Sequence, residues 1–425
     1  MKRAVLHALV LVVFAAVVAG GAALWQRRPW RPLVSVNGRT LTAEEAERCA
    51  EGLFGAAAQG APRADDRLRR AARAWTIKEV LLQEAVAREV KVSAEEMEVS
   101  RAAATNGVRG FSFEESVLVS SFVLHEAVEK AFAARAPLPA GMDDATAQAA
   151  FRRRVGARLG AVFADAFRRA SVSSPAYPEF TRPAGVFDGP LADCPFLWLQ
   201  WTLRPVVSVG GRTLGARELE WRAQTLLDDA KRAEHLLVRP GRMEDALRHY
   251  RRQAAQAWIV KEVLLAEARA RGLRVTPAAE KEALAATAAA LKGRGLTPEQ
   301  FFREGPIPEA LKRRDFQEAA LIGLLTNVEV RDRISVTTKE AEARLADLAK
   351  AALVETKQGE KPKTLPSRKA MIDLMRAERF RAGFRKLFRA LFGKVEVRCP
   401  EYPALEGVDG VSPPRAEDGG GGKGA

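Results

Sequence analysis

The stretch LWQRRPWRPLVSVNGRTL, Leu24 to Leu41, returns as LWLQWTLRPVVSVGGRTL, Leu197 to Leu214, with 11 of 18 positions identical and no gap. Further on, Trp75 to Ser93 (WTIKEVLLQEAVAREVKVS) aligns with Trp258 to Thr276 (WIVKEVLLAEARARGLRVT), with 11 of 19 identical. The copies also close alike, Val172-Ser-Ser-Pro-Ala-Tyr-Pro178 matching Val397-Arg-Cys-Pro-Glu-Tyr-Pro403. A repeat this long means two copies of one folding module, not one large core. The question becomes what one module does, and why there are two.

Composition sets the bounds. The chain has 425 residues, 47% of them apolar and only 7% aromatic. That apolar share supplies packed cores and excludes wholesale disorder. The abundance of Ala, Leu, Arg and Glu favours helix. The net charge is +15, but Arg and Glu interleave along the helical stretches, as in Arg67-Leu-Arg-Arg70 followed by Lys78-Glu79. Such interleaving reads as solvated helix faces, and no nucleic-acid partner is expected. Attraction to anionic lipid or to acidic segments stays compatible with it.

Three cysteines, Cys49, Cys194 and Cys399, form no framework, and none has CxxC spacing. Cys399 stands where the first copy has Ser174, so the repeat itself needs no thiol. A bridge between Cys194 and Cys399 stays open. The four histidines, His7, His125, His235 and His249, show no ligand spacing. No catalytic residue, metal or cofactor is expected.

Lys2-Arg3 precede an apolar run from Ala4 to Trp25. Residues 1–25 read as a signal anchor, an N-terminal transmembrane helix that leaves the body exported. The expected location is the inner membrane, single-pass, with the body in the periplasm. The alternative is a signal peptide cleaved among the small residues Ala19 to Ala23.

The expected organisation is a first module over 32–180, a linker over 181–203, a second module over 204–405 and a disordered tail over 406–425. Each module opens with a short strand and a turn, Leu33-Val-Ser-Val36 then Asn37-Gly38 in the first copy. Thr42-Ala-Glu-Glu45 and Ser93-Ala-Glu-Glu96 have the form of capping boxes. Between them Leu68, Trp75 and Leu82 recur at heptad spacing, with Ile77, Leu81 and Ala85 on an adjacent stripe, which predicts a helix over 65–90. Ser112-Phe-Glu-Glu115 starts another helix. A last helix over 144–169 leads to a β-like tail that pairs with the first strand. The second copy repeats this order, with extra residues near 226–242 and 348–368.

This layout resembles the SurA-like family of bacterial export chaperones, which includes PrsA and PpiD. The likeness lies in Val34-Ser-Val-Asn-Gly38 and Val207-Ser-Val-Gly-Gly211, and in the shared Lys-Glu-Val-Leu-Leu-x-Glu-Ala helix. It continues in the steps Val92-Ser93 and Val275-Thr276, in Gly295-Leu-Thr-Pro-Glu-Gln-Phe301 and in Ile334-Ser-Val-Thr-Thr-Lys-Glu340. It implies a mainly α fold: two tandem SurA N-terminal-like helical modules, each closed by short β-strands, after an N-terminal transmembrane helix. Many family members insert a parvulin-type isomerase domain after the Ile-x-Val-[Ser/Thr] step. Here the gap is a few tens of residues in copy two and shorter in copy one, so the resemblance carries the chaperone module and not the isomerase.

The expected function is a membrane-anchored, envelope-facing holdase chaperone or assembly factor. It would bind unfolded or nascent exported proteins and would not be an enzyme. The rivals are a peptidyl-prolyl isomerase of the same family and a scaffold for a fixed envelope partner. Phe111, Phe113, Phe122, Phe301, Phe302 and Phe316 are the candidates for client contact, with core packing as the first reading of them. Trp75 and Trp258 read as core anchors first. Trp198 and Trp201, in the apolar linker, are candidates for an interface with membrane or with the neighbouring module. Glu79 and Glu262, each following a lysine, suggest a structural ion pair or a solvated face.

Overall fold

Val34-Ser-Val36 is extended because its β-branched residues alternate into a core and Asn37-Gly38 turns the chain back on itself. Asn37 and Gly38 both take positive φ (45° and 86°), as do Gly210 and Gly211 (55° and 85°) in the second copy. The hairpin demands that backbone, and Asn and Gly reach it most cheaply. In the computed structural model, residues 30–55, 64–104, 111–134, 142–187, 191, 194–234, 242–292, 295–357 and 365–411 are described. The anchor expected over 1–25 lies outside them. No described helix is long and apolar enough to cross a membrane.

The protein is mainly helical with two small sheets. In the first, β1 (Pro32–Val36) lies between β2 (Arg39–Thr42) and β3 (Val172–Ser173), all antiparallel. In the second, β4 (Pro205–Val209) lies between β5 (Arg212–Gly215) and β6 (Val397–Arg398). The registers correspond: Ser35 faces Ser173 as Ser208 faces Arg398. The first and last strands of each copy therefore pair.

The helices of the first copy are α1 (Ala43–Phe54), α2 (Ala64–Ala87), α3 (Ala94–Ala103), α4 (Phe113–Val123), α5 (Asp144–Arg169) and α6 (Pro183–Phe187). Both expected capping boxes form. Glu45 N donates to Thr42 Oγ1 at 3.3 Å while Thr42 N donates to Glu45 Oε2 at 2.9 Å. The Ser93–Glu96 pair does the same at 3.2 and 2.7 Å. α2 buries Trp75, Ile77, Leu81, Leu82 and Ala85, the stripe read from the sequence. After α4 the helix widens into a π-helical turn, Leu124–Glu129.

The second copy carries α7 (Ala216–Glu234), α8 (Met243–Ala270), α9 (Pro277–Lys292), α10 (Pro298–Arg303) and α11 (Glu309–Glu329). α12 (Thr338–Lys357), α13 (Arg368–Phe392) and α14 (Val408–Val411) complete it. Trp258 on α8 is buried as a core anchor, like Trp75. The chain divides into two compact units: Met1–Pro137 with Ala149–Arg204, and Leu138–Gln148 with Pro205–Ala425.

Two expectations are corrected. Residues 194–203, read as part of a linker, belong to the core of the first unit, where Phe196, Leu197 and Leu199 are buried. Their apolar side chains find more contact there than a tether would give them. The disordered tail expected over 406–425 is ordered as far as Val411, because α14 follows Glu406 and Val411 is fully buried (0%), and the rest of that tail lies outside the described residues. All three cysteines are buried and none is in a disulfide, so the bridge left open between Cys194 and Cys399 is absent.

Candidate functional site

Each unit builds the same charged cluster. In the first, Arg39 on β2 lies 3.1 Å from Glu79 Oε2 on α2 and 3.1 Å from Glu115 Oε1 on α4. Lys78 ion-pairs with the other oxygen of Glu115. In the second, Arg212 on β5 lies 3.0 Å from Glu318 on α11 and 3.3 Å from Glu262 on α8. Lys261 lies 2.7 Å from Glu318 and 2.9 Å from Asp315.

Glu79 and Glu262 are buried, which costs a lone carboxylate heavily and makes the cations necessary. Burial alone would raise the Glu115 carboxyl, but the hydrogen bond and charge of Lys78, with Arg39, hold it below the usual carboxylate range. Glu318 is held low in the same way, against burial, by Lys261 and Arg212. Carboxylates engaged by two cations are poor proton acceptors. The cluster pins the β-hairpin to the helices behind it.

The repeated Lys-Glu pair marks two members of each cluster in the sequence. Arg39 and Arg212 are marked by the Arg-Thr-Leu common to both copies. Glu115 and Glu318 carry no such mark, because the copies diverge there. Glu115 stands where a capping box on Ser112 would use it. Its backbone N–H still donates to Ser112 Oγ at 3.4 Å, while its carboxylate turns to Lys78 and Arg39.

The candidate client-contact phenylalanines do not converge on an open groove. Phe122 is fully buried (0%) and Phe302 nearly so (3%), so both are core. Phe111 and Phe113 pack half-buried against the first core, Phe111 with its ring 5.3 Å from Phe196. Phe301 and Phe316 flank Phe302, with ring centroids 5.7 and 5.8 Å from it. Trp198 and Trp201 are half-buried and meet edge to face at 5.4 Å, with Arg204 over Trp201 at 4.7 Å. Their surroundings are the first unit's own core.

An open cleft lies elsewhere, and of its residues only Ile334, which opens the Ile334–Glu340 step, is marked in the sequence. Its volume is about 570 Å³, and Arg331, Ile334, Arg376, Ala377, Phe380 and Arg381 line it. Three exposed guanidiniums surround a half-buried apolar floor of Ile334, Ala377 and Phe380. The floor is fixed from behind. Phe380 stacks on Phe384 at 6.2 Å, and Arg379 anchors α13 to Glu340 at 2.6 Å. The Arg379 hydrogen bond, with the Thr337 backbone, holds the Glu340 carboxyl down to about 2. Leu374, one turn before Ala377, leaves 47% of its surface exposed. Such a cleft offers an apolar surface with a cationic border, which suits an extended segment carrying both apolar and acidic groups.

No family model, curated protein or solved structure matches the chain.

Proposed function

We propose that the protein is a membrane-anchored, envelope-facing holdase that binds unfolded exported segments reversibly and without isomerase activity. The cleft on α13 carries this reading, because it joins apolar surface to three exposed arginines without a nucleophile or a general base among its lining residues. Apolar contact would supply sequence-tolerant affinity, and the arginines would draw in acidic segments. The resemblance to the SurA-like family supports the same assignment. Its Ile334-Ser-Val-Thr-Thr-Lys-Glu340 step leads into α12, capped where Glu340 N donates to Thr337 Oγ1 at 3.2 Å.

The test is light scattering from an aggregating, unfolded exported protein, with and without the purified chain and without nucleotide. Suppression is expected, and Arg331→Glu with Arg381→Glu should weaken it for acidic clients in particular. A chain that suppresses nothing yet co-purifies with one stoichiometric partner is a scaffold. Acceleration of a proline-limited refolding reaction at substoichiometric protein would make it an isomerase.

A further inference from the structure

The two units differ in how one equivalent helix face is covered. Glu115 on α4 and Glu318 on α11 take the same place in their clusters, which sets the helices in register. That register lays Phe122 on Leu325, each fully buried (0%). The same step from each glutamate leads to Ser120 on α4 and to Gly323 on α11. Ser120 is buried beneath the chain's own Phe196–Gln200 segment. Its hydroxyl donates to Leu197 O at 3.5 Å and accepts from Gln200 N at 3.1 Å. Phe196, Leu197, Leu199 and Gln200 are all buried by this docking (0%, 2%, 4% and 1%).

Among the described residues, α11 carries no such cover. α4 buries Ser116, Val117, Val119, Ser120, Ser121, Phe122 and Val123, whereas α11 buries only Glu318, Leu325 and Thr326. Ala319, the counterpart of Ser116, is exposed. A Cβ added to Gly323 would meet nothing within 4 Å.

We infer that the outer face of α11 around Ala319 and Gly323 is a seat for an apolar, aromatic-bearing segment of another polypeptide, docked as Phe196–Gln200 docks on α4. The inference rests on the chaperone reading and gives it a client site and a client chemistry. The chain's own segments that the repeat aligns with Phe196–Gln200 lack the anchors. Residues 412–425 contain no aromatic or large aliphatic side chain. Leu24–Trp30, the counterpart of Leu197–Leu203, places Gln26 and Arg27 where Leu199 and Gln200 are buried. The hydroxyl of Ser120 is gone at Gly323, so this seat selects apolar bulk over polar pattern, as a binder of varied unfolded segments requires.

The experiment titrates a labelled peptide of the sequence PFLWLQWTL, that of Pro195–Leu203, into the full chain and reads fluorescence anisotropy. Saturable binding is expected. Gly323→Lys should weaken it by about tenfold or more, since it sets a charge where an apolar anchor would rest. The variant keeps its fold, because Lys is the better helix former and its Cβ enters open space. A thermal melt no lower than that of the parent checks this. Absence of saturable binding, or equal binding by Gly323→Lys, overturns the inference. A peptide that binds Leu24→Asp/Trp25→Asp more tightly than the parent also overturns it, because the chain's own segment then holds the seat. The titration needs no client. Failure to suppress aggregation would remove the chaperone reading and leave the seat standing, and a failed titration would do the reverse.

Discussion

Gly185 in α6 and Gly410 in α14 stand at equivalent places, and in each a backbone carbonyl, that of Glu179 or of Ala404, occupies the space a Cβ would need. Fully buried neighbours correspond as well: Phe180 with Leu405, and Val186 with Val411. The repeat therefore runs through the shared Gly-Val, beyond the Tyr-Pro motif that closes it in the sequence.

Gly410→Ala should destabilise the second unit by about 1–3 kcal/mol, because the obstacle is backbone and cannot swing aside. Hydrogen exchange reads the two units separately. The β4–β6 amides should lose protection and the β1–β3 amides should keep theirs. Equal protection in variant and parent would mean that the α14 turn relaxes freely.

Lys78→Met should cost about 3 kcal/mol or more in a denaturant titration, since it takes the lysine from Glu115 and leaves that carboxylate to Arg39, which the buried Glu79 shares. Adding Glu115→Leu removes the carboxylate that lost its lysine. The double variant should recover part of the loss, and additive costs would show that the pair is not coupled.

Acid should weaken the fold through the same groups. Glu115 and Glu318 have folded pKa values below their ordinary 4.5, so they stabilise above that value. That contribution falls away as pH drops through the lowered folded values. His125 acts in the opposite sense. The Glu129 hydrogen bond raises it, against burial, so its contribution is full below 6.5 and is lost as pH rises through its folded value. Denaturation midpoints should fall between about pH 5 and pH 2, and the fall should shrink in Glu318→Gln.

The cysteines should be silent in the folded protein. Burial pushes the Cys49 thiol up to about 11 and raises the Cys399 thiol well above its ordinary value. Thiol labelling at neutral pH should follow unfolding and not precede it. Rapid labelling of Cys399 under native conditions would mean that the second closing strand opens locally.

What the sequence discloses here depends on distance along the chain. The hairpins, the capping boxes and the α2 stripe are local patterns, and each appears as expected. The destination of residues 194–203 is not local. Nothing in their own composition says whether Trp198 and Trp201 face a membrane or a helix. The answer lies in Ser120 and Ser100, which meet Gln200 from α4 and α3. The cleft on α13 stayed hidden for a similar reason. Its arginines look like any solvated helix face until Arg331 and Ile334 arrive from across the fold.

In each unit the strand through which the chain enters is hydrogen-bonded to the strand through which it leaves. Entry and exit thus lie side by side, and the connections between them lengthen without disturbing the closure, as the longer second copy does. A body with adjacent ends is easily duplicated in tandem, because a short connector suffices to begin the next one. The same geometry makes each unit a natural candidate for circular permutation, with new termini placed in a surface loop and the old ones joined by a few residues.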